Sequence, residues 1–244
     1  MWLSYYDNSA IEWVIKKAKS DTLHITHRLP DRLSGLVNEF ASYGGLTSAE
    51  EVGSRRLRLN HLPDVEYRGI IDPDEVVTWV DVNGNEEPIG PTSWANDIEA
   101  KACAKICFHL TRVTRKSIIV ITRFTAQRMF IRDYLWKIGL DKHIKVATTT
   151  GALGTQADIT LVSLVRNNPE RQVGAAGTLQ DLNVSISRSK EKLIIVGNFD
   201  TMFYGWTSLP DQMKHGYRSA ARRLAQLVDT RYGKVVDTPK ILVR

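Results

Sequence analysis

The sequence lacks the features of membrane proteins and of disulfide-bonded secreted domains. Its longest apolar runs, Ser117–Thr122 and Leu193–Gly197, are far shorter than the roughly 20 residues of a membrane-spanning helix, so we expect no membrane association. Only two cysteines occur, Cys103 and Cys107, too few for a disulfide framework, and no secretory signal is recognisable at the start. The expected location is therefore intracellular, cytoplasmic or nuclear.

Two nucleotide-binding patterns are also missing. The chain has no G-x-x-x-x-G-K-[ST] phosphate loop and no G-x-G-x-x-G turn after a strand. Their absence argues against an autonomous nucleotide hydrolase, a dehydrogenase or a free-standing Rossmann-type methyltransferase. Cys103, Cys107 and the nearby His109 are too few ligands for zinc, so we expect no metal site and interpret the cysteines as helix packing.

Length and composition are those of a folded domain. The 244 residues are 43% hydrophobic and 25% charged, which predicts one large domain over residues 1–244 with a substantial core. The 33 Lys and Arg against 27 Asp and Glu give a net charge of +6. This excess permits attraction to phosphate backbones but is too mild to decide a function.

From residue 95 onward, apolar strands alternate with amphipathic helices. A helical stripe runs from Ile98 to Leu110, and a last helix is expected at 218–231. The expected strands are Ile118–Ile121, Lys145–Thr149, Ile159–Val165 and Leu193–Val196. This alternation predicts an α/β fold, with a mostly parallel sheet covered by helices on both faces.

The first third of the chain is less regular. It predicts a strand at Leu23–Thr26, a helix at Pro30–Ser42 and a loop at Thr47–Pro63. Val76–Val82 alternates in polarity and is followed by Asn83-Gly84, a typical tight turn. We therefore predict a protruding two-stranded hairpin within residues 67–90, either a partner-docking ribbon or a simple elaboration.

Four segments resemble the motifs of a known family. They are LHITHRLPDRLS at 23–34 with YGGL at 43–46, IIVITRFTAQ at 118–127 preceded by NDIEA at 96–100, VATTTGALGTQADITLVSLVRN at 146–167, and LNVSISRSKEKLIIVGN at 182–198. In this order they resemble the second RecA-like domain of superfamily 1 helicases, in the group that contains senataxin and the nonsense-mediated-decay helicase. The resemblance spans nearly the whole chain, and the fourth segment is its most specific part.

The resemblance implies a RecA-like fold and one half of an ATP-driven motor. In that family ATP and Mg²⁺ bind between two RecA-like domains, held mainly by the first, which carries the phosphate loop. The partners implied are therefore that first domain and a single strand of RNA or DNA. We expect this chain to be the C-terminal half and to be inactive alone.

The resemblance also implies roles for two arginines. Arg188 matches the arginine finger that reaches the triphosphate across the cleft, and Arg28 matches an arginine that reaches the terminal phosphate. Arginine suits this chemistry because its permanently charged planar fork can bind phosphate oxygens as negative charge develops. His27 stands where the family has a tyrosine.

Further residues match the nucleotide side of the family's motifs. We expect cofactor contacts from Gly154, Gln156, Phe124, Gln127 and Lys190. Gln156 replaces a glutamate of the family, which removes a charge but keeps hydrogen-bonding capacity.

Other departures leave a second interpretation open. Thr150 replaces an aspartate of the family pattern and Leu153 a glutamine. The alternative is a degenerate, non-catalytic module that binds nucleic acid or protein.

Threonines at strand ends are candidates for contacts with nucleic acid. Thr122, Thr148 and Thr149 follow two expected strands, where hydroxyls and main-chain amides could hold a sugar-phosphate backbone. The same hydroxyls could equally be satisfied within the protein, and backbone contacts carry no sequence code.

Overall fold

The computed structural model describes residues 23–206, 220–239 and 242. The strands are β1 (Ile25–Thr26), β2 (Thr47–Ser48), β3 (Val77–Asp81), β4 (Glu87–Ile89), β5 (Ser93–Ala95), β6 (Ile118–Thr122), β7 (Lys145–Thr148), β8 (Ala157–Ser163), β9 (Ser189–Gly197) and β10 (Lys234–Asp237). The α-helices are α1 (Asp31–Ala41), α2 (Glu50–Gly53), α3 (Asp97–Val113), α4 (Thr125–Lys137), α5 (Leu179–Ile186), α6 (Phe199–Tyr204) and α7 (Ala220–Leu227).

Six strands form one parallel sheet in the order β10-β3-β9-β8-β6-β7. Apolar clusters cover both of its faces. One cluster includes residues of α3 and α4, and the other includes residues of α1, α5 and α7. Strands covered on both sides are apolar throughout, which explains the continuous runs in β6 and β9. The predicted α/β fold is confirmed.

The two cysteines pack against the core from helix α3. Cys103 and Cys107 are fully buried on the inner side of α3. Burial raises the pKa of both thiols, so both stay protonated at neutral pH. No helix in the described ranges is long and apolar enough to cross a membrane.

The prediction that β3 belongs to a protruding ribbon is wrong. β3 lies inside the sheet, between β10 and β9. Val77, Trp79 and Val80 are buried, and so is Thr78, whose hydroxyl accepts a hydrogen bond from Lys192 Nζ at 3.2 Å. The alternating polarity therefore reflects a buried threonine–lysine contact and not a solvated strand face.

The hairpin lies further along the chain. β4 and β5 pair antiparallel, with Pro88 opposite Trp94, and a turn at 90–92 joins them. Gly84 does not make the predicted turn. A Cβ at this position would lie 2.3 Å from Asn96 Oδ1, so glycine is required there for close packing.

Two other parts of the chain differ from the sequence prediction, one after α1 and one after α7. Thr47–Pro63 contains β2, which pairs in parallel with β1, and the short helix α2. The last helix was predicted at 218–231, of which 218–219 lie outside the described residues. α7 is followed by a π-helical turn at Val228–Tyr232 and by the unexpected edge strand β10.

Parallel topology gives the sheet two chemically distinct edges. All six strands begin at one edge and end at the other, because they run in the same direction. We call the edge at which β8 and β9 begin the amino edge, and the edge at which β6 and β8 end the carboxyl edge. The functional residues predicted from sequence divide between them.

Candidate functional site

Arg188 lies at the amino edge, in the connection between α5 and β9. Its Nε donates to the carbonyl oxygen of Val184 at 2.9 Å, and its Nη2 donates to Ser187 Oγ at 2.9 Å. Its Nη1 donates to the carbonyl oxygen of Thr155 at 3.5 Å. All three acceptors are neutral, so the hydrogen bonds fix the guanidinium without neutralising its charge.

Arg28 lies in the connection between β1 and α1, close to Arg188. Its Nε is buried and has no hydrogen-bond partner. Burial lowers the pKa of Arg28 and of Arg188, and the positive charge of Arg28 lowers the pKa of Arg188 further, while Tyr43 raises both. We call Arg28, Arg188 and Tyr43 the arginine crevice.

The arginine crevice is not matched by acidic groups. Within the described part of the chain, neither Arg28 nor Arg188 forms a salt bridge. Two cations held together at a partly buried position repel each other unless an anion lies between them. The geometry therefore suits phosphate oxygens.

Three further predicted residues lie near the amino edge. Gln156 immediately precedes β8, where the N–H of Ala157 donates to the carbonyl oxygen of Arg188 at 3.1 Å. Gly154 lies in the same connection at φ 73°, a left-handed conformation that favours glycine. Lys190 is half-buried in β9, where its charge helps to lower the pKa of Asp158.

Phe124 and Gln127 lie at the carboxyl edge and do not reach the arginine crevice. Phe124 follows β6 and packs with Val165 and Ala176. Gln127 is fully buried, with its Nε2 donating to Ser163 Oγ at 3.0 Å. The structure thus places five of the seven residues that were predicted for the nucleotide side at the amino edge and two at the carboxyl edge.

Gln127 belongs to a buried polar network that was not predicted. The network is centred on Glu99, which is fully buried and accepts hydrogen bonds from Ser163 Oγ at 2.7 Å and from the N–H of Val165 at 2.8 Å. Asn96 caps α3 by accepting from the N–H of Glu99 at 3.1 Å. Burial raises the pKa of Glu99 to about 7.

This network holds a strained loop after β8. Val165 has φ 74°, a left-handed conformation that β-branched residues rarely adopt. Besides Glu99, the side chain of Asn96 fixes this residue by donating to its carbonyl oxygen at 3.2 Å. Strained backbone of this kind persists only where the surroundings determine it and is concentrated at functional sites.

The next residue, Arg166, is held by an ion pair with Glu86. Its Nε and Nη2 donate to the two carboxylate oxygens at 2.9 and 3.0 Å, and both side chains are less than 10% exposed. The guanidinium also lies 4.5 Å from the ring centroid of Trp94 in the hairpin. Sequence reasoning missed Glu86 and Trp94, because nothing in their local pattern points to a residue about 80 positions away.

The three candidate threonines differ in accessibility. Thr122 and Thr149 are buried, and each hydroxyl has no hydrogen-bond partner. Thr148 is half-buried, and its Oγ1 accepts from the N–H of Gly151 at 3.3 Å. Arg123 forms a salt bridge with Asp181 at 2.9 Å beside Thr149.

The charges at the amino edge fit a polyphosphate better than a metal ion. Its predicted residues are arginines, a lysine and neutral groups, which bind phosphate oxygens. In residues 23–206, 220–239 and 242, no group of three or more His, Cys, Asp or Glu is placed to hold a metal ion.

Comparisons with known proteins give a consistent set of relatives. A family model described as an AAA domain matches residues 6–200. The ATP-dependent helicase NAM7 of Saccharomyces cerevisiae is 30% identical over 183 residues, which are 72% of this chain and 18% of NAM7. The regulator of nonsense transcripts 1 homolog of Drosophila melanogaster is 28% identical over 184 residues, 72% of this chain and 15% of that protein. The chain therefore spans less than a fifth of the length of these two relatives.

Among solved structures, the C-terminal domain of a possible DNA helicase from Lactobacillus plantarum WCFS1 is similar to this chain. It is 13% identical, the match covers 86% of this chain and 98% of that one, and the TM-score is 0.45.

Proposed function

Since this chain belongs to the AAA domain family, as a C-terminal RecA-like domain of the superfamily 1 helicases in the nonsense-mediated-decay group, we propose that it supplies one wall of a composite ATP pocket. The other wall is a RecA-like domain that carries the phosphate loop and the Mg²⁺ ligands. The observation that carries the proposal is the arginine crevice, in which Arg28 and Arg188 are close enough to interact electrostatically and neither has an acidic partner among the described residues.

The crevice residues have separate tasks in this proposal. Bound ATP with Mg²⁺ would supply a terminal phosphoryl group that passes to water, with ADP as the leaving group. Arg188 stabilises negative charge on the terminal phosphate oxygens, and its hydrogen bonds to Val184 and Ser187 hold the guanidinium ready before ATP arrives. The guanidinium of Arg28 is the second cation of the wall, although its buried Nε could donate to a phosphate only if neighbouring side chains move. Gln156, Gly154 and Lys190 complete the wall.

Single-stranded RNA or DNA is the proposed ligand of the carboxyl edge. Thr148 is the accessible candidate of the three threonines. The buried hydroxyls of Thr122 and Thr149 could gain a phosphate partner only if the side chains that cover them move, Arg123 among them. Binding through backbone phosphates is expected to be sequence-tolerant and to weaken as salt rises. The proposed location is the cytoplasm or the nucleus.

The test is ATP turnover in a two-domain protein, with this chain placed after a RecA-like domain that contains a phosphate loop. The chain alone should have turnover near zero. In the two-domain protein, Arg188→Ala should reduce turnover by about a thousandfold or more, and Arg188→Lys should restore little of it. Arg132→Ala, on the exposed side of α4, is the matched control. Normal turnover of Arg188→Ala would remove the finger assignment.

A second candidate function is a non-catalytic nucleic-acid-binding or protein-interaction module. It is favoured by Gln156 in place of a carboxylate and by Leu153, whose side chain is 58% exposed beside the amino edge. Gln156→Glu in the two-domain protein separates the two functions. Turnover that appears or rises with the glutamate indicates a disabled motor, whereas unchanged turnover favours a working site that uses the amide.

A further inference from the structure

A second basic site adjoins the arginine crevice. It is an open cavity of about 430 Å³, lined by the cations Arg55, Arg56, Arg58 and Lys116 and by the acids Glu51 and Glu191. We call it the basic pocket. Its lining includes none of the three crevice residues, although the two sites meet where Arg55 Nη1 donates to the carbonyl oxygen of Arg28 at 3.4 Å.

The backbone of the basic pocket is anchored mainly by contacts of other residues, although Arg56 Nη1 also donates to the carbonyl oxygen of Arg55 at 2.9 Å. Leu57 is buried in the core cluster beneath the segment. Thr114 Oγ1 donates to the carbonyl oxygen of Arg58 at 3.1 Å, and the N–H of Asn60 donates to the carbonyl oxygen of Val113 at 2.7 Å. Arg56 and Arg58, on either side of Leu57, are thus presented by a fixed main chain.

The acids of the pocket are already engaged. Glu191 pairs with Lys116 at 2.5 Å, and Glu51 pairs with His27 at 2.6 Å. No salt bridge involves Arg55, Arg56 or Arg58 among the residues that the structure describes. Glu51, whose pKa is lowered by hydrogen bonds from its own backbone N–H and from His27, also interacts with the charge of Arg55. Arg56 and Arg58 therefore keep guanidinium charges that no salt bridge of the described residues neutralises.

The pocket also contains one unused acceptor. The Oε2 atom of Glu191 is buried and has no hydrogen-bond partner, although its other oxygen binds Lys116. A buried acceptor without a partner is unfavourable, and a ligand in the cavity could reach this atom only if the side chains around it move. The guanidinium groups of the pocket match a phosphate group, whose oxygens take several charge-assisted hydrogen bonds.

We propose that the basic pocket binds a small phosphate-bearing anion, such as pyrophosphate or the diphosphate of a nucleotide, independently of the arginine crevice. Arginine forks bind phosphate oxygens in pairs, and the volume lies within the range of small-molecule sites. The site does not depend on the function proposed for the crevice, because none of its lining residues belongs to that wall.

The test is calorimetric titration of this chain with inorganic pyrophosphate, and separately with ADP, at constant ionic strength. The double variant Arg56→Ala/Arg58→Ala should lose about tenfold or more in pyrophosphate affinity, since each change removes charge-assisted hydrogen bonds. Arg132→Ala is the control and should bind normally. Tighter binding of pyrophosphate would identify a phosphate ligand, and tighter binding of ADP a nucleotide.

Two results would overturn the proposal. The first is affinity that falls with Arg28→Ala/Arg188→Ala but not with the pocket double variant, which would place the anion in the crevice and leave the proposed function intact. The second is equal affinity of the double variant and the unchanged chain, which would indicate non-specific attraction only. Matched thermal unfolding of all variants excludes misfolding as the cause.

Discussion

Two arginine sites at opposite edges of the same sheet differ in whether an acid of the chain neutralises them. At the carboxyl edge, Glu86 neutralises Arg166, and Glu99 accepts hydrogen bonds from Ser163 and Val165. At the amino edge, Arg188 experiences the positive charge of Arg28, and neither arginine forms a salt bridge within the described part of the chain. The first arrangement is complete within the chain, whereas the second becomes favourable only when an anion from outside arrives.

The difference separates residues that stabilise the fold from residues that are held ready for a ligand. Removing one member of a buried ion pair leaves its partner buried without a counter-charge, which lowers the stability of the fold. Removing one of two like charges relieves a repulsion instead. Measurements of the free energy of unfolding, made on this chain without any ligand, can therefore distinguish residues that stabilise the fold from residues that await a ligand.

The largest stability effect is expected for Glu86→Ala. This change leaves Arg166 buried without a counter-charge, so the free energy of unfolding should fall by about 3–5 kcal/mol in denaturant titrations. Asp133→Ala is the control, since it breaks an exposed pair with Lys137 and should cost at most about 0.5 kcal/mol. Similar losses for the two variants would contradict the assignment of the carboxyl edge as self-contained.

A pH effect of somewhat smaller size is expected from Glu99. Its pKa is about 7 in the folded chain against 4.5 ordinarily, so the folded state keeps a proton that the unfolded chain releases between these values. The free energy of unfolding should therefore fall as pH rises from 4.5 to 7, by at most about 3 kcal/mol. Lys192, whose pKa is lowered from 10.5 to about 7, acts above this window.

The control for the pH effect is Glu99→Gln, which cannot titrate. The difference in unfolding free energy between this variant and the unchanged chain should vary with pH only across the stated window. A constant difference from pH 4.5 to 7 would show that Glu99 has an ordinary pKa, and the network would then be more open to solvent than its burial indicates.

The smallest effects are expected at the amino edge. Arg188→Ala should change the free energy of unfolding of this chain by less than about 1 kcal/mol, because the lost hydrogen bonds are offset by relief of repulsion from Arg28. Thermal unfolding measures this directly. A loss as large as that of Glu86→Ala would mean that Arg188 serves the fold, and the comparison of the two edges would fail.

Sequence reasoning predicted the general fold because its signals are local. The apolar runs of β6 and β9 and the helical stripe of α3 each lie within a short window, and their alternation leads to a parallel sheet. That Arg28 and Arg188 act at the same site was implied only by the family resemblance. The structure adds their proximity and the absence of an acid among the described residues around them.

The failed hairpin prediction and the unexpected burial of Gln127 both depend on partners distant in sequence. Thr78 gave β3 an alternating pattern, but its partner Lys192 is 114 positions away. Gln127 matches a glutamine of the family motif, but its burial against Ser163 follows from the pairing of β6 with β8. Neither the Thr78–Lys192 contact nor the Gln127–Ser163 contact is visible in a local sequence pattern, so the burial of Thr78 and Gln127 could not be predicted from it.

The account is tested most directly by a structure of the two-domain protein bound to ADP and aluminium fluoride, which mimics the phosphate in transfer. The measured quantity is the distance from the Arg188 guanidinium nitrogens to the nearest fluoride. We expect hydrogen-bond contact, at about 2.7–3.2 Å. An Arg188 that keeps only its bonds to Val184, Ser187 and Thr155, with the fluoride held by other cations, would contradict the account.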